Sequence, residues 1–294
     1  MKAKTAPSIS LRTGTREWAG TNVNIQLGCE NNCRYCYARH DAVDRFHKCT
    51  AKQWAEPAIN QKKVNAKYPK YKDAPSKFPC QGRKLQTNRG LPSGQPVMFP
   101  STHDITPGNL DSCLTVLQKL LEAGNQVLIV SKPHWGCVTA ICDEFKRFRE
   151  QIMWRFTIGS ADDETLAFWE PSAPRFEERM SCLCYAYKSG YQTSISCEPL
   201  LDGFVDHIYS ATAEFITDSF WIGLLRNFKQ RVDLTGVSEE QMARFVRPLL
   251  AVSQPAIVKS IYELMKDKPY IRWKDSIRKI IQLPLSFISR NKTR

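Results

Sequence analysis

Three cysteines fall within the stretch Gly28-Cys29-Glu30-Asn31-Asn32-Cys33-Arg34-Tyr35-Cys36-Tyr37, spaced C-x3-C-x2-C. Three thiolates are one short of the four that close an ordinary iron–sulfur cluster. A 4Fe-4S cubane held by Cys29, Cys33 and Cys36 keeps one iron open, and an open coordination position separates a catalytic metal site from a structural one. Zinc is the competing reading, with the three cysteines joined by His40 or His47. Zinc sites, however, usually pair C-x2-4-C units across a longer loop.

Such a loop needs a rigid frame, and the flanking sequence predicts one. Asn22 to Leu27 alternates polar and apolar residues and reads as a strand emptying into the cysteines. From Gln95 onward, strand-like and helix-like runs take turns. Strands are predicted over 22–28, 96–99, 126–130, 154–159, 191–197 and 214–222, with helices over 110–123, 137–151 and 173–189 between them. This rhythm predicts an α/β fold with a parallel sheet. Six β/α units suit a partial (β/α)6 TIM-like barrel over residues 1–230, in which chemistry sits at the C-terminal strand ends. The cysteine loop lies at that end, as do Ser101, Asp104, Lys132 and Ser160. Together these side chains suit a zwitterionic ligand, a cation for its carboxylate and acceptors for its ammonium group. Singly, each also serves as an ordinary cap or turn residue.

At 294 residues, 42% hydrophobic and 11% aromatic, the composition is that of a folded globule. Eleven cysteines, odd in number and sparse, do not make a secreted disulfide scaffold. The N-terminal stretch has no apolar signal-peptide core, and no apolar run nears the roughly 18 residues of a membrane span. The expectation is a cytoplasmic protein with no membrane partner, in a reducing compartment where thiolates persist.

The net charge of +13 is uneven: residues 38–95 and 224–294 each carry +9, and residues 96–223 carry −8. Residues 38–95 read as an irregular basic insertion, with a helix starting near Thr50 and with Trp54, Tyr68 and Tyr71 among the lysines. Residues 231–294 read as a helical C-terminal extension packed on the barrel. Within it, 270–281 reads as a basic amphipathic helix. Both basic segments suit a polyanion such as nucleic acid, with the aromatic residues either stacking on an unpaired base or anchoring the insertion. A nucleic-acid-binding protein with a structural iron–sulfur or zinc site and no turnover is the alternative to an enzyme.

The motif GCxxxCxYCYAR, a Ser-Lys after the third predicted strand, and the stretches 156–163 and 169–180 resemble the spore photoproduct lyase-related branch of the radical S-adenosylmethionine (radical SAM) enzymes. The resemblance covers about residues 20–225. It implies a cluster on Cys29, Cys33 and Cys36 whose open iron takes the amino and carboxylate groups of S-adenosyl-L-methionine. It also implies a one-electron reductant of flavodoxin or ferredoxin type. By the same resemblance, Tyr35 approaches the adenine through its backbone. Ser101 and Asp104 lie near the methionine amino group, Lys132 near the carboxylate, and Ser160 near the ribose or carboxylate. One departure is plain. Photoproduct lyases place a hydrogen-donating cysteine directly after the second strand, and the stretch from Val97 to Asp104 contains none. Thymine-dimer repair by that chemistry is therefore not expected.

Overall fold

The computed structural model describes residues 14–71 and 95–282. Seven strands form one wholly parallel sheet: β1 (Thr21–Asn22), β4 (Val97–Met98), β5 (Val127–Ser131), β6 (Ile152–Thr157), β7 (Gln192–Cys197), β8 (Phe220–Ile222) and β9 (Ile271–Trp273), side by side in that order. Helices make the crossovers, giving the α/β layout of a partial TIM-like barrel. A separate two-stranded antiparallel sheet joins β2 (Gln26–Leu27) to β3 (Ala58–Ile59).

The helices form where apolar residues recur on one face. In Leu110–Glu122 the buried positions are Cys113, Val116, Leu117, Leu120 and Leu121, an i, i+3, i+4, i+7, i+8 stripe. Gly124, at φ +77°, ends that helix, and the backbone bonds Gly124 N–H to Leu121 O and Asn125 N–H to Leu120 O close its last turn. The stripe belongs to the same hydrophobic core as Val127, Ile129, Ile152, Trp154, Phe156, Ile195, Phe220 and Ile222, the helix-facing positions of the central strands. Each such side chain, fully buried, contributes roughly 1.5–3 kcal/mol.

Strand alternation sends the intervening residues to the opposite, inner face. There stand Leu128, Met153, Arg155, Ser194, Ser196 and Trp221, half of them polar. Trp18, from the segment before β1, covers part of this face by packing against Leu128 and Met153.

The expected helix 137–151 is α-helical only as Trp135–Glu144, with a 3-10 helix over Lys146–Gln151, and three further predicted elements differ from the structure. The expected strand 22–28 breaks in two, because the Ile25 N–H turns to His103 Nε2 (3.2 Å) instead of a strand neighbour. The expected strand 214–222 is Phe220–Ile222 alone. Glu214 lies in a 3-10 turn, and the N–H groups of Thr217 and Asp218 both donate to Thr193 O. The expected helix 270–281 begins as β9, a seventh strand, and is helical only over Asp275–Ile281. Ile271 is buried against the main core, so pairing with β8 overrides the helical spacing.

Candidate functional site

The cysteine loop is held from below by the segment that follows it. Thr50 caps the helix Ala51–Ala55 with a full capping box, which aims the chain so that Trp54 is buried against Cys29, Ala38 and Ala42. The Trp54 carbonyl accepts from the Cys29 N–H at 3.0 Å. A Cβ on Gly28, where φ is +89°, would stand 2.5 Å from that carbonyl oxygen, so only glycine fits. Asn60 N–H reaches Ile25 O at 2.7 Å, beside the β2–β3 pairing. Trp54 is thus an anchor and is not available for base stacking. Tyr68 and Tyr71 are partly buried against the main core. Cys80, which could meet Cys49 within the basic insertion, lies outside the described residues.

From the strand ends, side chains fasten the loop on three sides. Asp104, after β4, accepts from Asn31 Nδ2 (3.0 Å), the Ser131 hydroxyl and the Lys132 backbone N–H (3.1 Å), which binds the loop to the end of β5. Asn24 accepts from the N–H groups of Ser101 (2.7 Å) and Thr102 (2.9 Å) and donates to Ser101 Oγ (2.9 Å). The Tyr37 hydroxyl donates to Ser101 O. His103 accepts from Ile25 and holds Asp104 O at 3.0 Å, which fixes the neutral imidazole with its proton on Nδ1. On the β6 side, the Tyr35 hydroxyl donates to Glu170, and Glu170 pairs with Arg179, both fully buried. Arg179 also donates to Pro174 O (2.8 Å) and Thr157 O (3.0 Å). Burial alone would raise Glu170, but Arg179 and Lys132 outweigh it and keep the carboxyl ionised. Arg34 N–H meets Trp169 O at 2.9 Å, and its guanidinium lies 4.9 Å from the Phe168 ring centre.

Every anchor so far engages backbone or non-cysteine side chains. The three cysteines remain free thiols, with Cys36 Sγ also accepting from the Arg39 N–H at 3.4 Å. Burial pushes Cys29 up to about 12 and raises Cys33 and Cys36 as well, with Lys132 opposing the shift in the latter two. The thiols are therefore neutral until a metal displaces their protons. Among the described residues no three His, Cys, Asp or Glu side chains converge as ligands of a single ion. His40 Nδ1 faces Asp44 (3.3 Å) and His47 Nδ1 faces Val43 O (3.1 Å), and neither residue forms a ligand group with the cysteines among the described residues. A cubane makes no such demand, since each of its thiolates binds a different iron.

Lys132 is the second uncommitted group. Its ammonium lies 5.8 Å from the Tyr35 ring centre and forms no ion pair or hydrogen bond among the described residues. Burial would lower it, but the nearby Cys33, Tyr35, Glu170 and Asp104 raise it well above the usual lysine range. Asn31 Oδ1 is a buried acceptor with no donor among the described residues. Ser160, fully buried after β6, accepts from Asp162 N–H at 2.9 Å and supports the start of the helix Asp163–Trp169. The structure therefore gathers Tyr35, Asp104 and Lys132 about the cysteines. Ser101 is fastened to them through Asn24 and Tyr37, and Ser160 serves a turn at the β6 end. Sequence reasoning missed Asn24, Asn31, His103, Glu170 and Arg179. Their signal was a polar residue inside or beside an apolar run, which does not show what it will meet.

No family profile matches this chain. Among curated proteins, an uncharacterized protein, ORF301, of Acidianus two-tailed virus is 24% identical over 191 residues, 62% of this chain and 56% of that protein. The chain thus spans about half the length of that relative. The fold resembles that of spore photoproduct lyase complexed with dinucleoside spore photoproduct (TM-score 0.48, 14% identity, 90% of this chain and 79% of that one). It also resembles Streptococcus suis SuiB bound to S-adenosylmethionine (TM-score 0.39, 9% identity, 60% of this chain and 38% of that one). Among the described residues, no helix is long and apolar enough to cross a membrane.

Proposed function

We propose that this protein is a radical SAM enzyme, with Cys29, Cys33 and Cys36 holding a 4Fe-4S cluster and the strand ends holding S-adenosyl-L-methionine. One observation carries the reading. Three free thiols, an uncommitted ammonium (Lys132) and an orphaned buried acceptor (Asn31 Oδ1) share one end of a parallel sheet among the described residues. The donor set matches the cofactor pair: thiolates for iron, a cation for a carboxylate, an acceptor for an ammonium group. When bound, the pair supplies one-electron reductive cleavage of a C–S bond and hydrogen abstraction from an unactivated carbon.

The chain's own part is positioning. Asp104 and Asn31 set the loop against β4 and β5. Tyr35, Glu170 and Arg179 set it against β6, and Trp54 closes it from beneath. Ser101 and Ser160 flank the ligand in this reading. A one-electron reductant of flavodoxin or ferredoxin type is the partner it requires. The test is anaerobic reconstitution, followed by iron and sulfide assay, absorbance near the roughly 400 nm typical of such clusters, and assay for 5′-deoxyadenosine after reduction with S-adenosyl-L-methionine. Cys29→Ala, Cys33→Ala or Cys36→Ala should each abolish the cluster, because two thiolates do not retain a cubane. A full complement of iron in the triple variant would sink the assignment.

The substrate we favour is a polyanion, with nucleic acid the best fit to the charge map. Lys62, Lys63, Lys67 and Lys70 are all exposed, and Phe46, 51% exposed, stands between Arg45 (4.7 Å) and Lys48 (5.3 Å). The 270–281 segment contributes little to this surface. Lys274 is buried, Arg278 faces Glu17, and Lys279 faces Asp275. Binding of labelled RNA and DNA should weaken with salt, with a log–log slope of about −0.7 to −0.9 per phosphate neutralised. Neutralising the four lysines should flatten that slope. A wild-type protein that shows no salt-dependent binding would turn attention to peptide or small-molecule substrates.

A further inference from the structure

Beside the cysteine loop lies an open cavity of about 390 Å³, lined by His40, Asp41, Arg45, Asn227, Gln230 and Arg231. Its volume falls within the roughly 300–1,000 Å³ of small-molecule sites, but every lining residue is polar or charged, where such sites are mostly apolar. One wall continues directly from the loop. His40 N–H donates to Cys36 O at 3.0 Å, and Asp41 and Arg45 follow on the same π-helical segment, His40–Arg45. The facing wall is the turn 227–231. It starts from Asn227 in the left-handed conformation (φ +57°), which asparagine tolerates better than most side chains. Two contacts fasten this second wall to the first. Asp233 N–H donates to Arg34 O at 2.8 Å, and the Asp233 carboxylate accepts from Arg39 at 2.8 Å. The cavity is thus built between two anchored segments that are far apart in sequence.

The charges on its walls are not balanced. Asp41 is the one carboxylate among the lining residues, and Arg45 faces it at 3.5 Å. Arg231 forms no ion pair among the described residues, and its guanidinium lies 5.9 Å from the Tyr37 ring centre. Asn227 and Gln230 make no side-chain hydrogen bond among the described residues. Two partly exposed rings stand next to the cavity, Tyr37 under Arg231 and Phe46 under Arg45. These are the groups that meet a nucleotide. A guanidinium fork suits a phosphate, a side-chain amide suits a base edge, and exposed rings suit stacking.

We infer that this cavity binds one nucleotide unit of a single-stranded nucleic acid, with the phosphate on Arg231 and the base edge against Asn227 and Gln230. Arg45 is the lesser cation, because Asp41 already holds it. The inference rests on the polyanion reading above and sharpens it. The exposed lysines of 62–70 give diffuse attraction, whereas the cavity gives a fixed anchor beside the cysteine loop. A single strand is the source that fits, since a base edge inside a duplex is already paired. Binding there requires neither cluster nor S-adenosyl-L-methionine, so it is read without turnover.

The test is fluorescence anisotropy on the full chain with short labelled single strands of RNA and DNA, competed by uridine 5′-monophosphate, uridine and inorganic phosphate. Arg231→Gln should weaken strand binding about tenfold and reduce the log–log salt slope by about one. Arg231→Lys keeps the charge but not the fork and should recover part of that loss. Gln230→Ala should weaken strand binding about fivefold while leaving competition by inorganic phosphate unchanged. Lys259→Gln makes the same change of charge on an exposed position of the helix Pro255–Met265 and should bind as wild type does. Circular dichroism and melting temperatures check that each variant is folded. The monophosphate should compete better than uridine or phosphate alone. If wild type binds strands but Arg231→Gln loses no more than Lys259→Gln, the cavity is refuted and the polyanion reading stands. If wild type binds no strand, the polyanion reading falls and the strand assignment with it. Equal competition by the monophosphate and by inorganic phosphate would refute the base contact.

Discussion

Lys132 follows β5 and Lys274 follows β9, at the same end of one parallel sheet, and their surroundings differ. Lys274 is enclosed by two carboxylates, a carbonyl and an indole face. Lys132 keeps its backbone N–H on Asp104 while its ammonium goes without an ion-pair partner among the described residues. The difference lies in what arrives from elsewhere in the chain. At β9 the segment before β1 brings in Glu17. At β5 the available carboxylates, Asp104 and Glu170, are taken by Asn31, Ser131, Tyr35 and Arg179. A fold can thus build the same residue type into a closed ion pair or leave it ready for a ligand. The sign is whether nearby acceptors are already engaged, not how deeply the cation is buried.

The sharpest way to break this contrast is to make one substitution at both places. Lys274→Ala leaves the buried Glu17 with Arg278 alone and takes from the half-buried Glu198 its ion-pair partner, and should cost about 3–5 kcal/mol of unfolding free energy. Lys132→Ala removes no ion pair and should stay within about 1 kcal/mol. Urea unfolding of the two variants reads this directly, and equal losses would erase the distinction. Next in size is affinity. Lys132→Ala should weaken S-adenosyl-L-methionine binding by about tenfold to a hundredfold, or roughly 1.5–3 kcal/mol for a charge-assisted hydrogen bond, with iron content unchanged. Unaltered binding, measured calorimetrically on the reconstituted protein, would remove Lys132 from the site.

The smallest effect sharpens the cysteine-loop side alone. Burial lowers His103 below its ordinary value of 6.5, so the folded protein resists a proton that the unfolded chain accepts. The unfolded state then binds more protons as pH falls, and stability falls with it. The contribution is present in full above about 6.5 and is lost progressively below it. His103→Asn should flatten that slope in unfolding measurements between about pH 7.5 and 5.5. A slope unchanged by the substitution would place its origin in another group.

Periodicity and spacing made much of this legible. The helix Leu110–Glu122 was readable because its stripe and its terminal glycine are local features. The strands β5, β6 and β7 were readable because runs such as Val127-Leu128-Ile129-Val130 suit a strand buried on both faces. Cys29, Cys33 and Cys36 were readable because three thiols at short spacing have few other uses. What sequence did not show is every assignment that depends on a partner distant in the chain. β9 is a strand because β8 offers it an edge, and its own residues read as helix. Trp54 is a wedge beneath Gly28 because the chain folds back, and among lysines it had the look of a stacking residue. Glu170 ties Tyr35, 135 positions away in sequence, to Arg179. Composition and local pattern fix which elements can form and which atoms are reactive, since helix and strand propensities and thiol chemistry act over a few residues. Which charges are neutralised and which stay available is decided in space, where a carboxylate serves whichever donor the packing brings within about 3 Å.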